Sequence, residues 1–144
     1  MIRKAAKNDL SILATLACRL WPDHSPAELQ ADLAEMMAKK DAAFFLAFAA
    51  EIPIGFAQCQ LRQDYVEGTE TSPVGYLEGI YVADGHRRQG IARALLAACE
   101  TWAKAQGCAE FASDCELTNT ESFHFHTNVG FEEANRIICF VKKL

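Results

Sequence analysis

The run Gly85-His86-Arg87-Arg88-Gln89-Gly90-Ile91-Ala92 constrains this chain more than any other stretch. Before it, Tyr76-Leu77-Glu78-Gly79-Ile80-Tyr81-Val82 is rich in β-branched, aromatic and aliphatic residues and reads as a buried strand. After it, Ile91, Leu95, Ala98 and Trp102 recur at helical spacing as far as Gln106. The pattern is a strand, a basic glycine-bearing turn, then a helix. Such a turn aims several backbone N–H groups and the positive end of a helix dipole at one spot. Glycine lets the backbone approach a ligand with no Cβ in the way. Arg87 and Arg88 add positive charge, so the expected guest is a phosphate or pyrophosphate. The Gly-Lys-Ser/Thr ending of a P-loop is absent, as is the G-x-G-x-x-G dinucleotide fingerprint. With no paired metal carboxylates either, a nucleoside triphosphate is set aside.

The 144 residues suffice for one core, and residues 1–144 are expected to form one domain. The net charge of −5 argues against nucleic acid, which asks for a basic face, and permits a cationic partner. No apolar run approaches the roughly 20 residues that span a bilayer. Met1-Ile2-Arg3-Lys4 leads into no signal-peptide core, so the expected compartment is the cytoplasm. The six cysteines form no C-x-x-C pair and lie in apolar segments, which reads as reduced, mostly buried thiols and no metal site.

Around the central turn, the chain alternates strand and helix signals. Ile2 to Ala5 opens as a short strand. Asn8-Asp9 caps a helix carried by Leu10, Leu13, Leu16, Ala17 and Leu20, which stops at Trp21-Pro22. Ser25-Pro26-Ala27-Glu28 is a capping box for a second helix to about Lys39. The apolar run 43–50 and the return strand 54–61 make a hairpin. The polar segment 62–75 is long for a compact domain, and such loops are more often functional than idle. A strand over 109–113 and a helix over 118–129 follow the central helix. Residues 131–134 and 136–142 are predicted as the last two strands.

The order β-α-α-β-β-β-α-β-α-β-β, with Arg87-x-x-Gly90-x-Ala92, resembles the GCN5-related N-acetyltransferase (GNAT) superfamily, whose acetyl-CoA signature is Q/R-x-x-G-x-G/A. Asn119-x-x-Ser122-x-x-Phe125-His126-x-x-x-Gly130-Phe131 is similar to a second block of that superfamily. Within it the chain resembles the aminoglycoside 6′-N-acetyltransferases. Carrying this are Leu20-Trp21-Pro22-x-His24, Asp64-Tyr65-Val66-x-Gly68, Ser72-Pro73-Val74, Leu77-Glu78-Gly79-Ile80-x-Val82, Ala112-Ser113-Asp114 and Gly130-Phe131-Glu132-Glu133. The resemblance implies an α+β fold, with a central mixed, mostly antiparallel sheet flanked by about four helices. It implies acetyl transfer from acetyl-CoA to the 6′-amine of aminoglycoside antibiotics by direct attack in a ternary complex, conferring resistance. It also implies a homodimer, with strand 136–142 as the shared element.

The chemistry asks for a neutral amine, a polarised thioester carbonyl and a proton for the departing thiolate. By resemblance, Arg87, Arg88, Gln89, Gly90, Ile91 and Ala92 hold the pyrophosphate, Ile80, Tyr81 and Val82 hold the pantetheine arm, and Asn119 contacts its thiol end; Asn119 also suits a helix cap. Glu78 is the expected partner of the substrate ammonium and the base, working through water. Its place two residues before Ile80 puts both on one side of a regular pleat. A carboxylate in an apolar strand is costly unless paired or put to use. Asp114 is the second anchor for a polycation, and Trp21, His24 and Tyr65 form the substrate-side wall. Two departures stand out. His126 occupies the place of a tyrosine acid, and histidine is able to donate a proton near neutral pH. Asn135 stands where similar enzymes carry an acidic contact to the drug. Two other readings remain open: acetylation of a different primary amine (a polyamine, small metabolite or peptide N-terminus), and a CoA-binding module without activity.

Overall fold

The computed structural model describes all 144 residues. Five strands form one sheet in the order β1 (Ile2–Lys4), β2 (Ala42–Ala49), β3 (Ile52–Arg62), β4 (Val74–Val82) and β5 (Phe111–Ser113). The first three pairings are antiparallel, and β4 with β5 is parallel, so the sheet is mixed as expected. Four helices flank it: α1 (Leu10–Leu20), α2 (Pro26–Ala38), α3 (Ile91–Ala105) and α4 (Thr120–Asn128). Short 3-10 turns at Lys7–Asp9 and Asp84–His86 lead into α1 and into the basic turn.

The run in β2 lacks polar alternation because both its faces are covered. Phe44 and Leu46 join Leu13, Leu33 and Phe56 under α1 and α2. Ala43, Phe45 and Ala47 join Ala57, Cys59, Leu95 and Cys99 under α3. Each large side chain buried this way contributes roughly 1.5–3 kcal/mol against exposure. The first helix is seated by charge as well as packing. Asp9 is buried and accepts from Arg3 Nη1 and Nη2 at 2.7 and 2.8 Å and from the Ala6 amide at 2.8 Å. The Arg3 hydrogen bonds hold its carboxyl down at about 2. The capping box of α2 forms as read: Glu28 N donates to Ser25 Oγ and Ser25 N to Glu28 Oε2, both at 3.2 Å.

Three expectations need correction. The long loop is 63–73, since Arg62 and Val74 still pair across β3 and β4. The strands read over 131–134 and 136–142 do not form. A strand needs a partner for its N–H and C=O groups, and the sheet ends at β5, which is three residues long. The backbone of 137–144 makes no hydrogen bond within the chain, and Ile137, Ile138, Phe140 and Val141 stand 67–95% exposed. The cysteines are all free thiols, but only Cys59, Cys99 and Cys108 are buried, whereas Cys115 and Cys139 are exposed. Contact with Cys59, with burial, pushes the Cys99 thiol far up.

Candidate active site

The site begins where β4 loses its second neighbour. β5 pairs only with Gly75, Tyr76 and Leu77, so residues 79–82 of β4 pair on the β3 side alone. The other edge, at Ile80, Tyr81 and Val82, is left open beside the route into the basic turn. That turn has the geometry of an anion cradle. Arg88 and Gly90 take positive φ, 60° and 79°, and no side chain caps the first amides of α3. A Cβ built on Gly85 or Gly90 meets nothing within 4 Å, so it is the left-handed φ at Gly90, not space, that calls for glycine. Arg87 braces the turn. Its Nε donates to the Val82 carbonyl at 3.0 Å, and its guanidinium reaches Asp84 at 3.1 Å and Glu121 at 3.6 Å. The Glu121 contact brings the turn alongside the start of α4, where Asn119 sits. Asn119 Oδ1 accepts from the Ser122 amide at 3.0 Å as the helix cap, which leaves its NH2 for another partner. Ile91 and Ala92 begin α3 and also pack against the core. Gln89 is exposed and reaches only the Gly85 carbonyl, at 3.5 Å.

Glu78 sits on a β-bulge. Gln58 opposes Gly79 and Cys59 opposes Leu77, so Glu78 is the extra residue of β4. The bulge breaks the alternation assumed from sequence. Ile80 packs into the core beneath α3, whereas Glu78 turns to the opposite face, toward Arg62. Arg62 Nε and Nη2 donate to Glu78 Oε1 at 3.1 and 2.8 Å, and Nη2 reaches Oε2 at 3.1 Å. The same guanidinium lies over the Tyr76 ring, 3.4 Å from its centroid. The Tyr76 hydroxyl donates to Asp114. Burial, with that carboxylate beside it, holds the phenol well above its usual range, so it stays a donor. The two carboxylates singled out from sequence are thus joined through Arg62 and Tyr76, both of which sequence reasoning missed. Period two puts Tyr76 and Glu78 on alternate positions, but nothing local in the sequence pairs either with Arg62, which ends β3 on the neighbouring strand.

The other substrate-side residues fall into separate groups. Trp21 packs edge-on to Phe56 at 6.0 Å, and its ring fills the space where a Cβ on Gly79 would sit, one residue from Glu78. His24 is exposed, with Nδ1 3.8 Å from Glu28. Tyr65 is 78% exposed and donates to Glu67 at 3.4 Å, and Asn135 Nδ2 donates to the same carboxylate at 2.9 Å. Glu67 therefore gathers Tyr65 and Asn135, but no hydrogen bond ties this trio to Arg62. The loop itself is pinned by Glu110, which accepts from the Glu70 and Thr71 amides at 2.9 and 2.8 Å and from the Thr71 hydroxyl. The Thr71 hydroxyl and those amides hold the Glu110 carboxyl below its usual range.

His126 uses both ring nitrogens. Nδ1 lies 2.7 Å from the Ser122 carbonyl, which only accepts, so Nδ1 carries the proton. Nε2 lies 2.7 Å from Ser113 Oγ at the end of β5, and the ring packs on Phe131 at 5.1 Å. The residue ties α4 to β5. No group of three or more His, Cys, Asp or Glu side chains gathers as a metal site, and no helix is long and apolar enough to cross a membrane.

Known proteins are similar to this chain in sequence and fold over nearly its full length. Residues 10–131 match the acetyltransferase (GNAT) family model. An aminoglycoside N(6′)-acetyltransferase type 1 of Acinetobacter haemolyticus is 41% identical over 143 residues, 99% of this chain and 98% of the relative. One of the same name from Stenotrophomonas maltophilia is 43% identical over 141 residues, 96% and 90% of the two chains. The structure of AAC(6′)-Iy in complex with the bisubstrate analogue CoA-S-monomethyl-acetylneamine superposes with a TM-score of 0.96 at 40% identity, covering 100% of this chain and 98% of that one. A strand with one open edge, a positive-φ turn and matched relatives over nearly the full length lead to one conclusion: this chain belongs to the acetyltransferase (GNAT) family.

Proposed function

We propose that the protein transfers the acetyl group of acetyl-CoA to the 6′-amine of aminoglycosides, by direct attack within a ternary complex. The observation that carries this reading is the pairing of an anion cradle at 87–92 with a separate carboxylate network at Glu78 and Asp114, each suited to one of two substrates of opposite charge. The turn holds the pyrophosphate on backbone amides, and the open edge of β4 at Ile80, Tyr81 and Val82 hydrogen-bonds the pantetheine arm. Asn119 offers its NH2 toward the thiol end. The aminoglycoside, a polycation rich in hydroxyls, is held by Glu78 and Asp114 and walled by Trp21, His24, Tyr65 and Asn135.

Glu78 receives the proton that the ammonium must lose, through water, and the neutral amine attacks the thioester carbon. The C–S bond breaks as the amide forms, the nitrogen sheds its second proton to solvent, and the thiolate leaves. His126 acts as an acid only as the imidazolium: Nε2–H gives its proton to Ser113 Oγ as that hydroxyl passes its own to the thiolate, which leaves Nδ1–H on the Ser122 carbonyl and Nε2 as an acceptor. Acetyl-CoA is a metabolite of the cytoplasm, and the exposed thiols of Cys115 and Cys139 suit that reducing compartment. The protein acts there as a drug-resistance enzyme and as a homodimer, with the apolar tail 137–144 covered by a second copy.

The test is release of CoA thiol from acetyl-CoA with kanamycin, spermidine or a peptide amine as acceptor. Kanamycin is expected to turn over fastest. Faster turnover of the peptide or the polyamine would reassign the acceptor and leave the acetyl-CoA site standing.

A further inference from the structure

We propose that Arg62 is a positioning residue of this reaction, a resident guanidinium that shares Glu78 with the substrate ammonium. The inference rests on the reading of Glu78 given above. Four observations converge on it. Glu78 is the extra residue of a bulge, so the β3–β4 ladder does not fix its direction and something else must. Arg62 supplies that restraint with a planar fork: Nε and Nη2 both donate to Oε1, and Nη2 also reaches Oε2. The Arg62 guanidinium itself lies over the Tyr76 ring. Tyr76 is anchored in turn by Asp114, 38 residues along the chain. The chain Glu78–Arg62–Tyr76–Asp114 therefore sets the spacing of both acidic anchors.

The arrangement has an electrostatic consequence. Two carboxylates and one guanidinium leave a net charge of −1 where an amine has to lose a proton. Glu78 alone would form a tight ground-state ion pair with the ammonium, which lowers KM and does nothing for kcat. Oε1 accepts two of the three Arg62 bonds and Oε2 one, so Oε2 is the less occupied oxygen for the amine, held in one place and weakened as an ion-pair partner. Arg62 thus trades substrate affinity for a defined geometry of proton removal, and small misplacements of such a group are costly to rate.

The test is steady-state kinetics of Arg62→Met, Arg62→Lys, Glu78→Gln and the double variant Arg62→Met/Glu78→Gln, with CoA binding measured for each as the check on folding. Arg62→Met keeps an unbranched stem and removes the guanidinium, with both its donors and its place over the Tyr76 ring. Its kcat is expected to fall about tenfold or more, with KM for the aminoglycoside unchanged or lower. Arg62→Lys restores charge without the fork and recovers part of the loss. The double variant is expected to be no slower than Glu78→Gln alone, because Arg62 acts through Glu78. An unchanged kcat in Arg62→Met, or a rise in KM alone, overturns the proposal, as does a fully additive double variant. Wild-type kinetics in Glu78→Gln overturn the reading of Glu78 itself, which separates the two failures. Should Arg62→Met lose CoA binding, Arg62→Lys decides: kcat lost at constant CoA affinity supports the proposal, and wild-type kcat overturns it.

Discussion

At the residue scale, small groups decide where large ones stand. Gly79 has no Cβ because Trp21 occupies its place. A methyl there would lie 2.7 and 2.8 Å from two Trp21 ring carbons and 3.0 Å from Leu20 Cδ2. The ring is the movable party, so Gly79→Ala is expected to push Trp21 off the sheet rather than unfold the chain. The expected result is a fall of about tenfold in kcat/KM for the aminoglycoside, or roughly 1.4 kcal/mol, with CoA affinity unchanged. Isothermal titration and steady-state kinetics on one preparation check both halves. Equal losses for the two substrates would mean that the change spread through β4. Residue types, spacing and caps were legible in the sequence wherever the cause was local. The capping box at Ser25 and Glu28, the cap at Asn119 and the glycine of the basic turn each depend on neighbours within a few positions. Arg62 and Tyr76 were not legible, because their meaning comes from a contact between strands and from Asp114, far along the chain.

At the scale of elements, the strand-turn-helix unit 74–105 emerged from pattern alone because period two gives way to helical spacing across a glycine-bearing turn. The bulge at Glu78 did not emerge. One extra residue leaves β4 as apolar as before and only reverses which face the following side chains take. It is visible only against the β3 register. The junction of β1 and α1 carries a pH dependence of its own. The folded Asp9 carboxyl, at about 2, lies below its ordinary value of 3.8. A depressed acid contributes its full stability above about pH 4 and loses it as pH falls through the folded value. Because Arg3 is 41% exposed, solvent screening reduces the contribution to roughly 1–2 kcal/mol. Asp9→Asn is therefore expected to lower the melting temperature at pH 7 by several degrees. The gap between variant and wild type should close as pH approaches 2. A gap that persists undiminished at pH 2 would assign the loss to packing instead.

At the scale of the whole molecule, the tail shows what sequence pattern cannot decide. Residues 136–142 read as a strand, and their apolar content is real, yet the single chain offers them no partner. Ile138 and Phe140 are 81% and 91% exposed. A second copy would supply both the apolar cover and the missing backbone partners. Ile138→Asp/Phe140→Asp changes nothing that the lone chain buries. We expect wild-type protein to sediment at twice the 15.9 kDa chain mass, and the double variant to sediment as monomer with its melting transition still cooperative. A wild-type monomer would remove the dimer from the account and leave the tail without a role.

In the proposed reaction the cradle at 87–92 and the carboxylates at Glu78 and Asp114 bring a thioester and a 6′-amine together. It is tested most directly by CoA-thiol release with two matched aminoglycosides that differ only at the 6′ position, one an amine and one a hydroxyl. Rapid release with the amine and background release with the hydroxyl are expected. Equal release from both, or none from the amine, would contradict it.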